Sequence, residues 1–303
     1  MKISPGHAAL LAVCVFSSPA RAEADGLELD LSASAGYRYD SNVDIATTDT
    51  NTGEADTARL LNLGLEGTIP LNGKLSLELG YGYTSTTYAT FSSFDLAMHH
   101  AKAALKYNVA GFDGSLSFDR FAATVDGGEF LEINQASPSL ARMIGQSLYL
   151  RGSFTRAEKD SAGDPGRDAF NNSIRGDAYI LLDGMERYVA LAYRIANEDA
   201  QTGEFDYTAR DAKFTYGHQL QAGRVNLDCR TYLQVETRNY AGAPEPDAAP
   251  RRDERLRAGM SAAIPVSERI ALKGEFEYGE NDSNLATVAF DEVVYTFSVA
   301  VSL

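Results

Sequence analysis

Cysteines and long apolar segments are scarce in this sequence, and both shortages restrict the fold. The two cysteines are Cys14 and Cys229. Cys14 lies in the N-terminal leader described below, so the rest of the chain can form no internal disulfide. After that leader, no apolar run reaches the roughly 18 residues that a membrane-spanning helix needs. A disulfide-stapled fold and a helical membrane protein are therefore excluded.

Basic residues are also in deficit. The chain has 27 Lys and Arg against 42 Asp and Glu, which gives a formal net charge of −15. Such a charge argues against nucleic acid as a partner and against adhesion to anionic lipid through a basic patch.

Residues that would support catalysis are few. No His-Glu-x-x-His, Cys-x-x-Cys or phosphate-binding loop occurs. No Ser–His pair with an orienting third group can be read from the histidine spacing. His99 and His100 are adjacent, so on a strand they face opposite sides and cannot bind one metal ion together. We predict no enzyme, no cofactor and no metal centre.

The first 22 residues have the composition of a cleavable signal peptide. Lys2 supplies a positive start, Ala8 to Phe16 form an apolar core, and Ala20-Arg21-Ala22 is a small-x-small cleavage pattern. Lipidation at Cys14 is the alternative, but Val13 stands where a small residue is expected before a lipidated cysteine.

Removal of the leader takes Lys2 and Arg21 away and moves the net charge from −15 to −17. We expect residues 23–303 to form one exported domain, because no linker or composition shift divides them.

The sequence after the leader alternates with a period of two. In LELDLSASAGYRYD, odd positions from Leu27 to Tyr39 are apolar or aromatic, and the even positions from Glu28 to Asp40 are polar or small. A helix, whose faces repeat every 3.6 residues, does not produce seven successive alternations. Fourteen such segments predict fourteen β-strands. Four of these segments are less regular, those that start near Phe94, Phe112, Phe130 and Phe205, and a bulge or register change within each would explain this.

Short and long connections take turns along the chain. The short ones carry tight-turn residues, at 71–74, 110–113, 144–146, 183–187, 221–224 and 266–269. Longer polar ones lie mostly between them, at 40–58, 158–168, 197–204, 241–253 and 280–287. One end of the structure should therefore carry short turns, and the other end should carry long loops.

The chemistry of the two strand faces favours a transmembrane barrel over a water-soluble sandwich or solenoid. One face is apolar along ten or more residues, and the other mixes both charge signs with Gly and Ser. Tyrosines cluster toward strand ends, as at Tyr37, Tyr39, Tyr81, Tyr83 and Tyr278, which is typical of the interfacial girdles of such barrels. We predict an all-β, antiparallel, up-and-down β-barrel of about 14 strands in outer-membrane lipid. Lipid leaves no strand edge unpaired, so the sheet must close.

The last predicted strand ends the chain on its apolar face. That face carries Val293 and then Tyr295, Phe297, Val299, Val301 and Leu303. It resembles the C-terminal signal that the barrel assembly machinery recognises, with Leu303 in place of the usual terminal aromatic residue. We therefore expect that machinery to be a partner.

An Asp-Ser-Asn triplet occurs where the first and the penultimate predicted strand end. The triplets are Asp40-Ser41-Asn42 and Asp282-Ser283-Asn284. In a closed barrel both should lie on one rim near the seam. Turn chemistry explains them, since these side chains bond their own backbone. A hard-cation site is the alternative, with oxygen ligands from Asp40, Asp44, Glu280 and Asp282.

The stretch GYRYDSNV, residues 36–43, resembles the opening strand of the barrel of surface lipoprotein assembly modifiers. The resemblance implies a barrel of about fourteen strands and an outer-membrane translocator with exported lipoproteins as clients. That family carries a tetratricopeptide domain before the barrel. Here only Glu23 to Gly26 would precede the first strand.

The polar face of the predicted strands would line the lumen. Its charged candidates are Arg151, Arg175, Asp177, Arg194, Asp228, Arg230, Glu236, Arg255, Arg257, Lys273, Glu275 and Glu277. Charges without water or partners are costly to bury, so these residues imply either a hydrated lumen or a salt-bridge network. Residues 40–58 form a loop long enough to fold inward. Cys229 falls on the apolar register, which suggests a filler.

Two classes of function fit these features. The first is an outer-membrane channel, either a translocator of the lipoprotein-assembly type or a monomeric fourteen-stranded porin for small polar solutes. The second is a closed structural or interaction barrel that works through its acidic loops.

Overall fold

The computed structural model describes residues 26–45, 50–223, 225–243 and 249–303. The predicted signal peptide lies outside these ranges. Fourteen strands form one closed antiparallel barrel, which confirms the predicted fold. They are β1 (Glu28–Asp40), β4 (Asp56–Asn72), β5 (Leu75–Tyr88), β6 (Leu96–Val109), β7 (Phe112–Val125), β8 (Gly128–Ile144), β9 (Leu148–Ser161), β10 (Ala169–Asp183), β11 (Arg187–Ala200), β12 (Tyr207–Ala222), β13 (Val225–Tyr240), β14 (Arg252–Pro265), β15 (Ile270–Ser283) and β16 (Phe290–Ser302).

A small hairpin of β2 (Asp44–Ile45) and β3 (Thr50–Asn51) lies in the first loop. None of the helices in the described part of the chain is long and apolar enough to cross a membrane.

Side chains alternate between the two faces of the wall because successive strand residues point to opposite sides. In β1, Tyr37 is 69 % exposed on the outer face, whereas Arg38 and Asp40 are 6 % and 0 % exposed on the inner face. The same alternation places a continuous row of large apolar side chains on the outside, such as Leu61, Leu63 and Leu65 in β4. This outer surface matches the lipid-facing band of transmembrane barrels.

The two ends of the barrel differ as predicted, with one exception. Both described chain ends and the short turns lie at one end, here called the turn end. The opposite, loop end carries the first loop and most of the longer connections. However, β7 and β8 are joined at the loop end by Asp126 and Gly127 alone, whose φ angles are 51° and 73°. An Asp-Gly pair favours such a two-residue hairpin turn, so this connection is short where a long one was expected.

Several loop-end connections share one construction. Each contains a single turn of 3-10 helix followed by an aspartate, whose carboxylate accepts the backbone N–H of the last residue of the preceding strand. The contacts are Asp95 to Tyr88 at 2.7 Å, Asp168 to Ser161 at 2.7 Å and Asp206 to Ala200 at 2.6 Å. These bonds satisfy strand-end donors that would otherwise be left to water.

This construction corrects part of the bulge prediction. Phe94 and Phe205 are the last residues of 3-10 turns and lie outside the strands, which is why the period of two fails there. A register shift does occur between Ala123 and Thr124, where β7 meets β8.

The barrel closes where β1 pairs with β16, from Ser32 opposite Ser302 to Asp40 opposite Val294. Gly36 allows the close approach of these strands. A Cβ atom at position 36 would lie 2.3 Å from the carbonyl oxygen of Phe297 and 2.8 Å from the Cβ of Ser298. Beyond Gly36, Ser41 donates its backbone N–H to the carbonyl of Val293 and accepts the N–H of Val293 on its Oγ.

We predict that Gly36→Val weakens the closed barrel, because the new side chain must push β1 away from Phe297. Overpacking of this kind costs about 1–3 kcal/mol. Urea titration of the refolded barrel in lipid vesicles, followed by heat-modifiable gel mobility, measures the loss. Gly152→Val in β9 is the control, since no atom lies within 4 Å of its added Cβ. Equal stability of the two variants would contradict this role of Gly36.

Candidate functional site: the barrel lumen

The predicted lumen residues all lie on the inner register of their strands. The inner face, however, is not uniform along the barrel axis. Toward the turn end its charged side chains are partly or fully exposed, and these are Arg151, Asp228, Arg230, Lys273, Glu275 and Glu277. Arg175, Asp177 and Arg257 lie near the middle of their strands and are partly buried. Toward the loop end Arg194, Glu236 and Arg255 are buried. Apart from the buried Glu78, the charged side chains of the inner face are therefore more exposed toward the turn end than toward the loop end.

A network of ion pairs fills the loop-end half, and we call it the charge belt. Its members are Lys159, Arg194, Glu198, Glu236, Arg238, Arg251, Asp253 and Arg255. At one end of the belt, Lys159 of β9 bonds both carboxylate oxygens of Glu198 on β11 at 2.5 Å. Asn171 of β10 donates to the same carboxylate at 2.6 Å. The pair thus bridges three neighbouring strands.

Glu236 of β13 is the centre of the charge belt. It accepts from Arg194 of β11 at 3.1 Å and from Arg238 at 2.7 Å, and Arg255 of β14 lies 3.9 Å away. Its side chain is only 6 % exposed. Three arginines around one buried carboxylate make Glu236 the group on which their burial depends.

The belt continues through β14. Arg251, just before this strand, binds both oxygens of Asp253 at 2.9 and 2.7 Å. Arg255 lies 3.7 Å from Asp253 and donates to Asn281 of β15 at 2.9 Å. Bidentate pairs of this kind fix orientation as well as charge.

Tyrosine rings cover two of the belt's cations. The guanidinium of Arg238 lies 5.0 Å from the ring centre of Tyr207, and that of Arg251 lies 4.6 Å from the ring centre of Tyr240. Tyr207 and Tyr240 face each other across β12 and β13 with ring centres 5.3 Å apart. These contacts compensate part of the hydration that the buried arginines lose.

The described start of the first loop packs on the inner wall at β4 and β5. Val43 is 0 % exposed and packs on Ala58 and Tyr88, which are inner-face residues of β4 and β5. Its backbone N–H donates to Glu54 and its carbonyl accepts from Thr52. The prediction that residues 40–58 contain a loop able to fold inward agrees with this placement of Val43.

The stretch GYRYDSNV now has a local explanation. Arg38 and Asp40 form a buried pair at 2.8 Å, and Asp40 also accepts from the Tyr88 hydroxyl at 3.3 Å and from the Asn42 backbone at 3.2 Å. Asn42 accepts the backbone N–H of Gly53 at 2.8 Å. The stretch therefore stabilises the junction of β1 with β16 and anchors the first loop.

The two Asp-Ser-Asn triplets both lie at the loop end, but they do not form the proposed cation site. Asp40 points inward to Arg38, whereas Glu280 and Asp282 lie on the outer register of β15. The second triplet connects β15 to β14, since Ser283 donates to Asp253 at 2.8 Å and Asn284 accepts from the Arg252 backbone at 2.8 Å. No cluster of three or more metal-binding side chains occurs in the described ranges.

The turn-end half is lined differently. Its wall from β7 to β9 carries small hydroxyl side chains that bond one another, as in Ser115 with Ser139 at 2.7 Å and Ser137 with Thr155 at 2.8 Å. Its charges are also paired. The pairs toward the turn end are Glu78 with Lys102 and Lys106, and Lys273 with Glu275. Arg175 with Asp177 lies near mid-strand, and His100 with Asp119 lies closer to the loop end of β6.

Sequence reasoning missed several lumen residues. Lys159, Glu198 and Asp253 were assigned to loops, because the predicted strands were too short. Arg251 is in the loop before β14 and was not singled out. Asp211, Glu292 and the inward tyrosines were not singled out, although the period of two places each of them on an inner face. His100 faces the lumen and His99 the outside, as neighbours on a strand must.

The apolar C-terminal face lies outside. Phe297 is 69 % exposed, Tyr295 and Val299 point outward with it, and Val301 follows in the same register. Leu303 donates its backbone N–H to Leu31 of β1 at 2.8 Å. Recognition of this face by the assembly machinery remains a prediction. Cys229 lies on the outer register between His218 and Ala262.

Comparison with known proteins supports the fold alone. No family model matches the chain, and no curated protein sequence matches it. Among solved structures, the chain is similar to OmpT, an outer membrane protein of Vibrio cholerae, with a TM-score of 0.56 and 9 % identity over 93 % of this chain and 100 % of that one.

It is also similar to Salmonella typhi OmpF, with a TM-score of 0.55 and 10 % identity over 92 % and 98 % of the two chains. The anion-selective porin of Comamonas acidovorans is similar as well, with a TM-score of 0.53 and 10 % identity over 91 % of this chain and 99 % of that one. The fold is therefore that of the porin-like outer-membrane β-barrels.

We predict that Glu236→Gln strongly destabilises the barrel, because three arginines lose their shared carboxylate. Breaking a buried ion pair from one side costs about 3–5 kcal/mol. Glu254→Gln is the matched control, since Glu254 pairs with Arg252 at 2.7 Å on the exposed outer register. That exposed pair should contribute less than about 1 kcal/mol. Similar urea midpoints for the two variants would show that the charge belt is not a buried network.

Proposed function

We propose that this protein is an outer-membrane channel for small polar solutes, narrowed at its loop end by the charge belt and the first loop. One observation carries the proposal. The same inner face changes from solvent-contacting polar side chains in the turn-end half to buried ion pairs in the loop-end half. A purely structural barrel has no need of solvent-exposed charges on its inner face, whereas a channel does.

The orientation follows from the connections. In outer-membrane barrels the short turns face the periplasm and the longer loops face the exterior. The turn-end half of the lumen then faces the periplasm, and the charge belt lies at the external mouth.

The charges along the lumen bear on its selectivity. Most lumenal cations have an acidic partner within hydrogen-bond distance, such as Arg175 with Asp177 and Lys273 with Glu275. A lumen of paired charges presents no extended field of one sign, so we expect weak discrimination between anions and cations.

A lipoprotein translocator is the second candidate, and the resemblance of GYRYDSNV to the lipoprotein assembly modifiers favours it. The stretch serves the seam and the loop anchor in this chain, which any barrel could use. The translocator reading predicts that deletion of the gene removes a lipoprotein from the cell surface. Unchanged surface lipoproteins would reject it without affecting the solute channel.

We predict that removing one pair from the belt widens the channel. The double variant Lys159→Ser/Glu198→Ser keeps the net charge, shortens two buried side chains and leaves Glu236 with its three arginines. Its single-channel conductance in planar bilayers should therefore exceed that of the wild type severalfold. Arg252→Ser/Glu254→Ser makes the same exchange on the outer register and should leave conductance unchanged.

Heat-modifiable mobility verifies that each protein is folded before it is measured. Absence of conductance from all of the folded proteins would reject the channel and leave the closed structural or interaction barrel.

A further inference from the structure

Three tyrosines line the turn-end half of the lumen side by side. Tyr149, Tyr179 and Tyr188 lie on the inner faces of the neighbouring strands β9, β10 and β11. The ring centres of Tyr149 and Tyr179 are 6.0 Å apart, and those of Tyr179 and Tyr188 are 6.2 Å apart. All three side chains are only partly buried. The rings are tilted, by 69° between Tyr149 and Tyr179 and by 40° between Tyr179 and Tyr188, so they form an angled aromatic cluster that water or a solute can reach.

The backbone beside these rings is shaped to hold one of them flat. A Cβ atom at Gly217 of β12 would lie 2.3 Å from a ring carbon of Tyr188, so the ring occupies the space that a side chain would take. One face of Tyr188 therefore rests on the wall, and the other is turned toward the lumen. Tyr232 lies over Gly259 in the same way. The Lys213 ammonium lies over this ring, 4.2 Å from its centre, so Tyr232 is not counted among the rings available to a solute.

Charged groups that can donate and accept hydrogen bonds flank the aromatic cluster. Asp177 is opposite Arg151 in the ladder and pairs with Arg175 at 2.8 Å. Arg230 is opposite Gly217, the residue under Tyr188. The cluster thus combines apolar ring faces with the exposed Arg151, the partly buried Arg230 and the carboxylate of Asp177, whose side chain is 8 % exposed.

This combination selects a class of solute. An anion would gain nothing from the ring faces, which carry negative potential. A cation would be attracted by the rings but opposed by the guanidinium groups of Arg151 and Arg230 beside them, and an apolar solute would leave the charged groups without a role. A neutral sugar suits both the aromatic rings and the charged groups, because its ring presents C–H groups on its faces and hydroxyl groups around its edge. We propose that the turn-end half of the lumen is a binding site for neutral saccharides, with Tyr149, Tyr179 and Tyr188 as the stacking surface.

The site rests on the proposed channel, whose solute class it names. Aspartate and arginine can bond the same sugar from two sides, since Asp177 accepts and Arg151 donates. The hydroxyl-rich wall of β7 to β9 continues the polar lining next to them.

Calorimetric titration of the folded protein in detergent with maltotriose tests the site without requiring conduction. We expect saturable binding by the wild type and at least a severalfold loss of affinity in Tyr179→Ala and in Tyr188→Ala. Tyr193→Ala is the matched control, because Tyr193 is on the same strand as Tyr188 but on the exposed outer face. It should bind as the wild type does.

The outcomes separate this inference from the channel itself. Absence of binding by a protein that conducts would overturn the saccharide site and leave the channel standing. Binding by a protein that does not conduct would support the site and reject the channel. An equal loss of affinity in Tyr193→Ala and Tyr188→Ala would also overturn the inference, since the lumenal position of the rings would then not matter.

Discussion

Closure of the sheet is the constraint on which the rest of this structure depends. In lipid no backbone N–H or C=O of a strand can be left unpaired, so β1 must meet β16. The close contact of Gly36 with Phe297 and the exchange of hydrogen bonds between Ser41 and Val293 provide that junction. Closure also fixes what is inside. Once the seam is made, every second residue faces a confined lumen, and charges placed there must find partners or water.

The direction of each strand side chain could be predicted from the sequence, because the period of two is a local property. Arg194 and Arg230 were both assigned to the inner face, and both are there. Their environments could not be predicted. Arg194 is buried against Glu236 two strands away, whereas Arg230 stays in contact with solvent. This difference depends on how side chains from distant segments meet inside the lumen, which no single segment encodes.

The connections were predicted less well than the strands, for a similar reason. A run such as 197–204 is polar and acidic and was assigned to a loop, yet β11 continues to Ala200 and contributes Glu198 to the charge belt. Polar residues at the end of a strand resemble loop residues when the strand extends beyond the apolar band. Tyrosines posed a related difficulty. Those near strand ends suggested an interfacial girdle, but Tyr179 and Tyr188 are on the inner register and line the lumen.

The proposed channel depends on a difference in exposure along the inner face, which is accessible to solvent toward the turn end and buried at the charge belt. Cysteine accessibility tests it most directly, in a Cys229→Ser background that removes the thiol of the described barrel. Ser153→Cys lies toward the turn end and Ala196→Cys, at a position only 1 % exposed, lies beside the charge belt. Both positions are on inner faces. We expect a small charged thiol reagent to modify Ser153→Cys rapidly and Ala196→Cys only slowly. Equal rates at the two positions would contradict this expectation.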